Sequence, residues 1–262
     1  MNQSLLYQTP TWIIAALLFL SMIIIYCIGY MIRKAEIKRN KTLSNEGLGS
    51  IEASLLGLLA LLLSFTFSMS ATRYDNRRTV IIDEANNIGT AVLRADMYPE
   101  SIKKLLKADF KDYLEARIEY YNAGVDSSKI NLAIKKTEFI YTKIWNQVMK
   151  ESQKPENLVR SNQMIPALNN MIDIVTTRDA IKNATVPNSV FGLLFLIILF
   201  ASFTVGYSNI KKQKNHILAL AFSFTVVATV CLILDLDRPR RGVIDMNTSE
   251  HKIVELRNLF KE

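Results

Sequence analysis

The sequence predicts an all-α membrane protein in which four transmembrane helices, paired as two hairpins, flank a helical soluble domain. Three observations carry this prediction. Apolar residues make up 50% of the chain and are concentrated in four long runs rather than in short periodic pieces. Between the second and third runs, apolar residues recur at steps of three and four. No segment alternates polar and apolar residues as a half-buried strand does.

The four runs are Trp12–Ile32, Ile51–Ser70, Ser189–Tyr207 and Ile217–Leu234. Each is close to the ~20 residues that carry a helix across ~30 Å of hydrocarbon. They divide the chain into a first transmembrane hairpin (1–70), a soluble helical domain (71–188), a second hairpin (189–234) and a C-terminal tail (235–262). The first run reads as a retained span rather than a signal peptide. No Lys or Arg precedes it, and its apolar stretch exceeds the usual ~7–15 residues. Cys27 and Cys231 both fall inside spans, so they read as small packing residues rather than as a disulfide or metal pair.

In the central domain, Ile81, Ala85, Ile88, Val92 and Ala95 form one helical stripe, which Pro99 ends. A second helix is expected over Glu100–Tyr121, with Ile102, Leu106, Phe110 and Leu114 facing inward. Asp126, Ser127 or Ser128 can cap a third over Lys129–Glu151, which carries Ala133, Ile140, Ile144 and Val148. A fourth is expected to start near Pro166 and to bury Leu168, Met171 and Val175. "TVPNS" then turns the chain back towards the membrane.

The net charge of +8 sits largely beside the spans, where Lys and Arg set topology and meet anionic headgroups. No basic patch interleaved with aromatics points to nucleic acid. Arg33, Lys34, Lys38, Arg39, Lys41, Lys211, Lys212 and Lys214 on one side nearly balance Arg73, Arg77, Arg78, Lys182, Arg238, Arg240 and Arg241 on the other. Charge alone therefore does not orient the chain. His216 and His251, the two histidines, lie at a span boundary and in the tail without partner sets. With no metalloprotease, phosphate-loop, nucleophile-elbow or cysteine-rich spacing, the expected protein is neither an enzyme nor a carrier of cofactor or metal.

Three constellations bear on function. "SFT" occurs three times in the spans, at 64–66, 202–204 and 223–225. Such hydroxyls usually bond the preceding turn and let helices pack closely. Alternatively, Ser64 and Ser68 face a water-filled axis, with Phe65 and Met69 forming an apolar constriction that gates by dewetting. Next, "TRYDNRR" places Arg73 and Arg77 four apart, with Arg78 alongside, where the second helix leaves the membrane. One copy is ordinary helix-end charge. Repeated around a symmetry axis, it becomes an anion-attracting ring. Last, "LDLDRPRRG" sets Asp235 and Asp237 among Arg238, Arg240 and Arg241, with Pro239 stopping the helix. It reads as an interfacial ion-pair cluster that can engage the arginines after span two. A divalent site is the weaker reading, because the guanidiniums compete for the carboxylates.

"RYDNRRTVIIDEANNIGTAVLRAD" (73–96) and "LDLDRPRRG" together resemble the bestrophin-like domain family of mostly bacterial four-span membrane proteins. The motif positions are Arg73, Tyr74, Asp75, Arg77, Arg78, Glu84, Asn86, Gly89, Thr90 and Arg94, with Asp235, Asp237, Arg238, Pro239 and Arg241 after the last span. Bestrophins are pentameric anion channels whose second span lines a neck and continues into a cytosolic helical domain. The resemblance thus implies a homo-oligomer, pentameric by analogy, that conducts small inorganic anions. It also implies a bacterial inner-membrane location, with the helical domain and both termini cytoplasmic and lipids as partners. The acidic calcium clasp of animal bestrophins has no counterpart in "DLDRPRRG". The alternative is a non-conducting membrane scaffold or signalling protein whose helical domain binds a partner.

Overall fold

The computed structural model describes residues 9–39, 48–209, 216–238 and 247–261. Among them every regular element is a helix: α1 Thr11–Arg39, α2 Leu48–Ala95, α3 Glu100–Asn122, α4 Ser127–Ser152, α5 Leu158–Asn183, α6 Asn188–Ser208, α7 His216–Asp237 and α8 Asn247–Glu255. Short 3₁₀ turns occupy Pro155–Asn157 and Leu256–Phe260. Four helices, α1, α2, α6 and α7, are long and apolar enough to cross a membrane. The basic residues Lys41, Lys211, Lys212, Lys214 and Arg240 lie outside the described residues.

The chain divides into two compact units, Met1–Tyr74 with Thr185–Ile244, and Asp75–Ala184 with Asp245–Glu262. In the first, Met22, Leu59, Phe191, Ile198, Val230 and Ile233 interlock in the core. Large apolar residues such as Trp12, Leu17, Phe65, Ile217 and Phe224 point outward, as lipid-facing residues do. α1 and α6 pack backbone to backbone. A Cβ on Gly29 would fall on the Phe203 carbonyl oxygen, and one on Gly206 on the Tyr26 carbonyl oxygen. Small residues at a membrane helix crossing permit this approach.

In the second unit, the predicted stripes form the core: Ile88 and Val92 of α2, Leu106 and Phe110 of α3, Ile144 and Val148 of α4, Met164 and Leu168 of α5. Asp126 caps α4, its carboxylate accepting the backbone N–H of Ser128 at 2.9 Å and of Lys129 at 3.2 Å. Pro99 sits at the N-terminus of α3, as expected of a residue that has no N–H to continue a helix.

Two expectations need correction. α5 begins at Leu158, not near Pro166, and carries that proline inside the helix. An internal proline costs about 3 kcal/mol. Burial of Met164, Ala167, Leu168 and Met171 around it outweighs this. The C-terminal segment is also not a separate tail. Ile253 is buried in the helical unit, and Arg257 pairs with Glu115 of α3 at 2.6 and 2.8 Å.

Candidate functional site

α2 has 48 residues and is about 72 Å long at 1.5 Å per residue, more than twice the ~30 Å hydrocarbon layer. A large part of it must therefore lie outside lipid. Its membrane segment has two unlike sides. Leu59, Thr66 and Ser70 are buried within the transmembrane unit, and Thr66 donates to the Leu62 carbonyl at 2.6 Å. Ser64, Ser68 and Thr72 recur four apart and are exposed, as are Phe65 and Met69 beside them. The other "SFT" hydroxyls mostly turn back on their own helices. Ser202 bonds the Ile198 carbonyl, Ser223 that of Ala219 and Thr225 that of Ala221, at 2.8–2.9 Å. Ser64, Phe65, Ser68 and Met69 thus share one accessible side of α2, while the hydroxyls of the other two triplets bond back to their own helices.

Past the membrane segment, α2 again has two sides. Asp75, Thr79, Asp83, Asn86 and Thr90 are exposed at steps of three and four. Arg77, Glu84, Ile88, Ala91 and Ala95 are buried. Of the arginines expected to form a ring, Arg77 is only 4% exposed, whereas Arg78 is exposed. The two are one residue apart and therefore project about 100° apart around the helix.

Arg73 faces a partner within the transmembrane unit. Its Nε lies 4.0 Å from the carboxylate of Asp237, which is fully buried at the end of α7. Asp237 also accepts the Val186 N–H through both oxygens, at 3.2 and 3.1 Å, which ties the entry to α6. Asp235 accepts the Thr11 hydroxyl at 2.8 Å, and Arg238 donates to the Thr9 carbonyl at 2.8 Å and to Thr11 Oγ1 at 3.1 Å. The Asp-Arg element thus closes the ends of α1, α2, α6 and α7 within this unit. Pro239 and Arg241 lie outside the described residues. No group of three or more His, Cys, Asp or Glu side chains among the described residues is placed to hold a metal ion.

In the helical unit, Glu84 is the centre of a buried charge cluster. Its Oε1 accepts Arg117 Nε–H at 2.5 Å, and its Oε2 accepts Tyr121 O–H at 2.9 Å and Arg178 Nη1–H at 2.7 Å. Arg178 also donates to the Tyr121 oxygen at 2.9 Å, and its guanidinium lies 4.0 Å from the Tyr120 ring centroid. Burial by itself would raise the Glu84 pKa, but the two guanidiniums hold it down at about 2. Burial raises the Tyr121 hydroxyl well above the ordinary phenol value, and the neighbouring carboxylate adds to this.

Of the other motif positions, buried Gly89 leaves room for Leu256 and Leu259. A Cβ there would meet their side chains at 3.4 and 3.9 Å. Arg94 donates to the Gln163 carbonyl. Tyr74 is half-buried, while Asn86 and Thr90 are exposed. Arg117, Tyr121 and Arg178 were not picked out from the sequence, although a signal for them exists. Glu84 lies in step with Ile81 and Ile88, Arg117 with Phe110 and Tyr113, and Arg178 with Met171 and Val175. Each is a charged residue at a core position of its helix, and such residues bury only when paired.

A family model described as a bestrophin-like domain matches residues 23–250. The chain belongs to the bestrophin-like domain family. Its fold is similar to that of a bacterial bestrophin homologue from Klebsiella pneumoniae, a single-substitution variant. The TM-score is 0.70 at 12% identity, covering 93% of this chain and 98% of that one. A second structure of the Klebsiella pneumoniae homologue gives a TM-score of 0.68 at 13% identity, covering 93% and 97%. A variant of a protein described only as a membrane protein gives 0.67 at 12% identity, covering 94% and 98%. The curated proteins contain no match. At these identities the likeness establishes the bestrophin fold, and with four long apolar helices the chain is an integral membrane protein.

Proposed function

We propose that this chain is the subunit of a homo-oligomeric ion channel whose pore is lined by the exposed side of α2. The observation that supports this is the exposed line of Ser64, Ser68 and Thr72, set against a buried opposite side. Hydroxyls turned to lipid can bond only back to their own helix. Gathered around an axis by several copies, they line a wetted path, with Phe65 and Met69 narrowing it. The fold likeness supports the same reading, and the resemblance to bestrophins favours five copies, an inner-membrane location and a cytoplasmic helical unit.

The sign of the permeant ion follows from what α2 exposes. Anion preference rested on Arg73, Arg77 and Arg78 acting together. Arg77 is buried and Arg73 lies 4.0 Å from Asp237, while Arg78 is exposed. Asp75 and Asp83 are exposed in line with Thr79 and Asn86, and carboxylate rings favour cations. We therefore assign small monovalent cations as the favoured ions. Anions drawn by Arg78 are the second reading.

The test is reconstitution of the purified oligomer into planar bilayers under a potassium chloride gradient. The channel gives currents that reverse towards the potassium potential. Reversal towards the chloride potential keeps the channel and selects the anion reading. Absence of current from verified oligomers, across voltage and pH, selects the membrane scaffold.

A further inference from the structure

The Glu84 cluster holds more positive charge than its carboxylate answers. Arg117 spends its Nε–H and Arg178 its Nη1–H on the same glutamate. Arg117 is 1% exposed and Glu84 fully buried. Among the described residues the cluster sets two guanidiniums against one carboxylate, a net charge of +1 in a place largely closed to solvent, which is costly unless something cancels it. Among the described residues, two buried donors near Glu84 find no acceptor: Nη2 of Arg117 and the hydroxyl of Tyr113. Tyr113 and Arg117 lie four apart on α3 and so share a helix face. The neighbouring phenol of Tyr141 is already committed to the Leu168 carbonyl at 3.3 Å.

We propose that Arg117 Nη2 and the Tyr113 hydroxyl form a buried site for a small monovalent inorganic anion of the halide class. Both groups donate to it, and its single charge cancels the excess left by Glu84. A guanidinium has no acceptor, so a water at this place would satisfy the donors but leave the charge. A divalent anion would reverse the imbalance. The site lies in the helical unit and does not depend on whether the chain conducts.

The test is the thermal stability of the purified full-length chain in detergent, titrated with sodium chloride against sodium gluconate at constant ionic strength. Equal ionic strength removes the screening of exposed ion pairs from the comparison. Chloride is expected to raise the unfolding temperature saturably. Tyr113→Phe keeps the ring and removes one donor, so it should raise the half-saturating chloride concentration about tenfold. No difference between chloride and gluconate in the unaltered chain overturns the proposal and leaves the donors to water. A chloride effect that Tyr113→Phe leaves unchanged overturns it as well, because the anion then binds elsewhere.

Discussion

Arg117 on α3 donates its Nε–H to Glu84 on α2 at 2.5 Å, with both side chains closed off from solvent. Arg178 of α5 completes the contact at 2.7 Å, so one carboxylate joins three helices of the helical unit. Each of these charges would be unfavourable alone. Glu84→Gln removes the counter-charge and leaves two guanidiniums buried, so we expect a loss of about 3–5 kcal/mol in unfolding free energy. Denaturant titration followed by circular dichroism measures it. In a Glu84→Gln/Arg178→Met pair the two losses should sum to more than the double variant shows, because the second change relieves the charge that the first exposes.

The same cluster gives a pH dependence of known sign. The Glu84 carboxyl titrates at about 2 in the folded chain, below the ordinary carboxylate range. Between the two values the unfolded chain binds more protons, so stability rises with pH. The contribution, about 3 kcal/mol, is fully present above about pH 5 and is lost as pH falls towards 2. Unfolding measured from pH 6 to pH 2 should show a shallower acid loss in Glu84→Gln than in the unaltered chain. Superimposable slopes would place the acid sensitivity elsewhere.

The α1–α6 crossing should tolerate no added methyl. In Gly206→Ala the new Cβ meets the Tyr26 backbone carbonyl, which cannot rotate aside. Overpacking of this kind costs about 1–3 kcal/mol and sometimes more. Gly57→Ala is the control, since nothing lies within 4 Å of its Cβ position. Thermal unfolding in detergent should be lowered clearly by the first change and left within about 0.5 kcal/mol by the second.

Ion selectivity should follow the exposed carboxylates of α2 rather than its buried arginine. Asp75→Asn/Asp83→Asn should lower the potassium-to-chloride permeability ratio several-fold in bilayer recordings, and Arg78→Ala should hold or raise it. If Arg78→Ala instead lowers the chloride permeability of an anion-selective pore, the anion reading stands.

Losing the α4 cap should be mild. Asp126→Ala leaves the Ser128 and Lys129 amides without their side-chain acceptor, at about 1 kcal/mol. Hydrogen exchange should rise at the first turn of α4 while the rest of the helical unit keeps its protection.

The architecture was legible in the sequence because both of its signals are local. A span declares itself by twenty apolar neighbours, and a bundle helix by apolar residues every three or four positions. The start of α5 was misread for the same reason: Pro166 is a strong local signal, but it yields to burial of Met164 and Leu168, which depends on distant helices. Glu84 entered as a motif position without a role, while Arg117 and Arg178 passed unnoticed, because no window of sequence shows that three core positions on three helices meet.

By itself, then, the sequence determined the four spans, the helical unit between them and the family resemblance, all of which depend on composition and period along the chain. Only the tertiary structure decided which way each charge points. Arg77 and Arg78 are neighbours in sequence, yet a helix turns about 100° per residue, and the packing that buries one leaves the other in the open. The same rotation fixed Ser64 and Ser68 on the exposed side of α2 and Glu84 on a buried one.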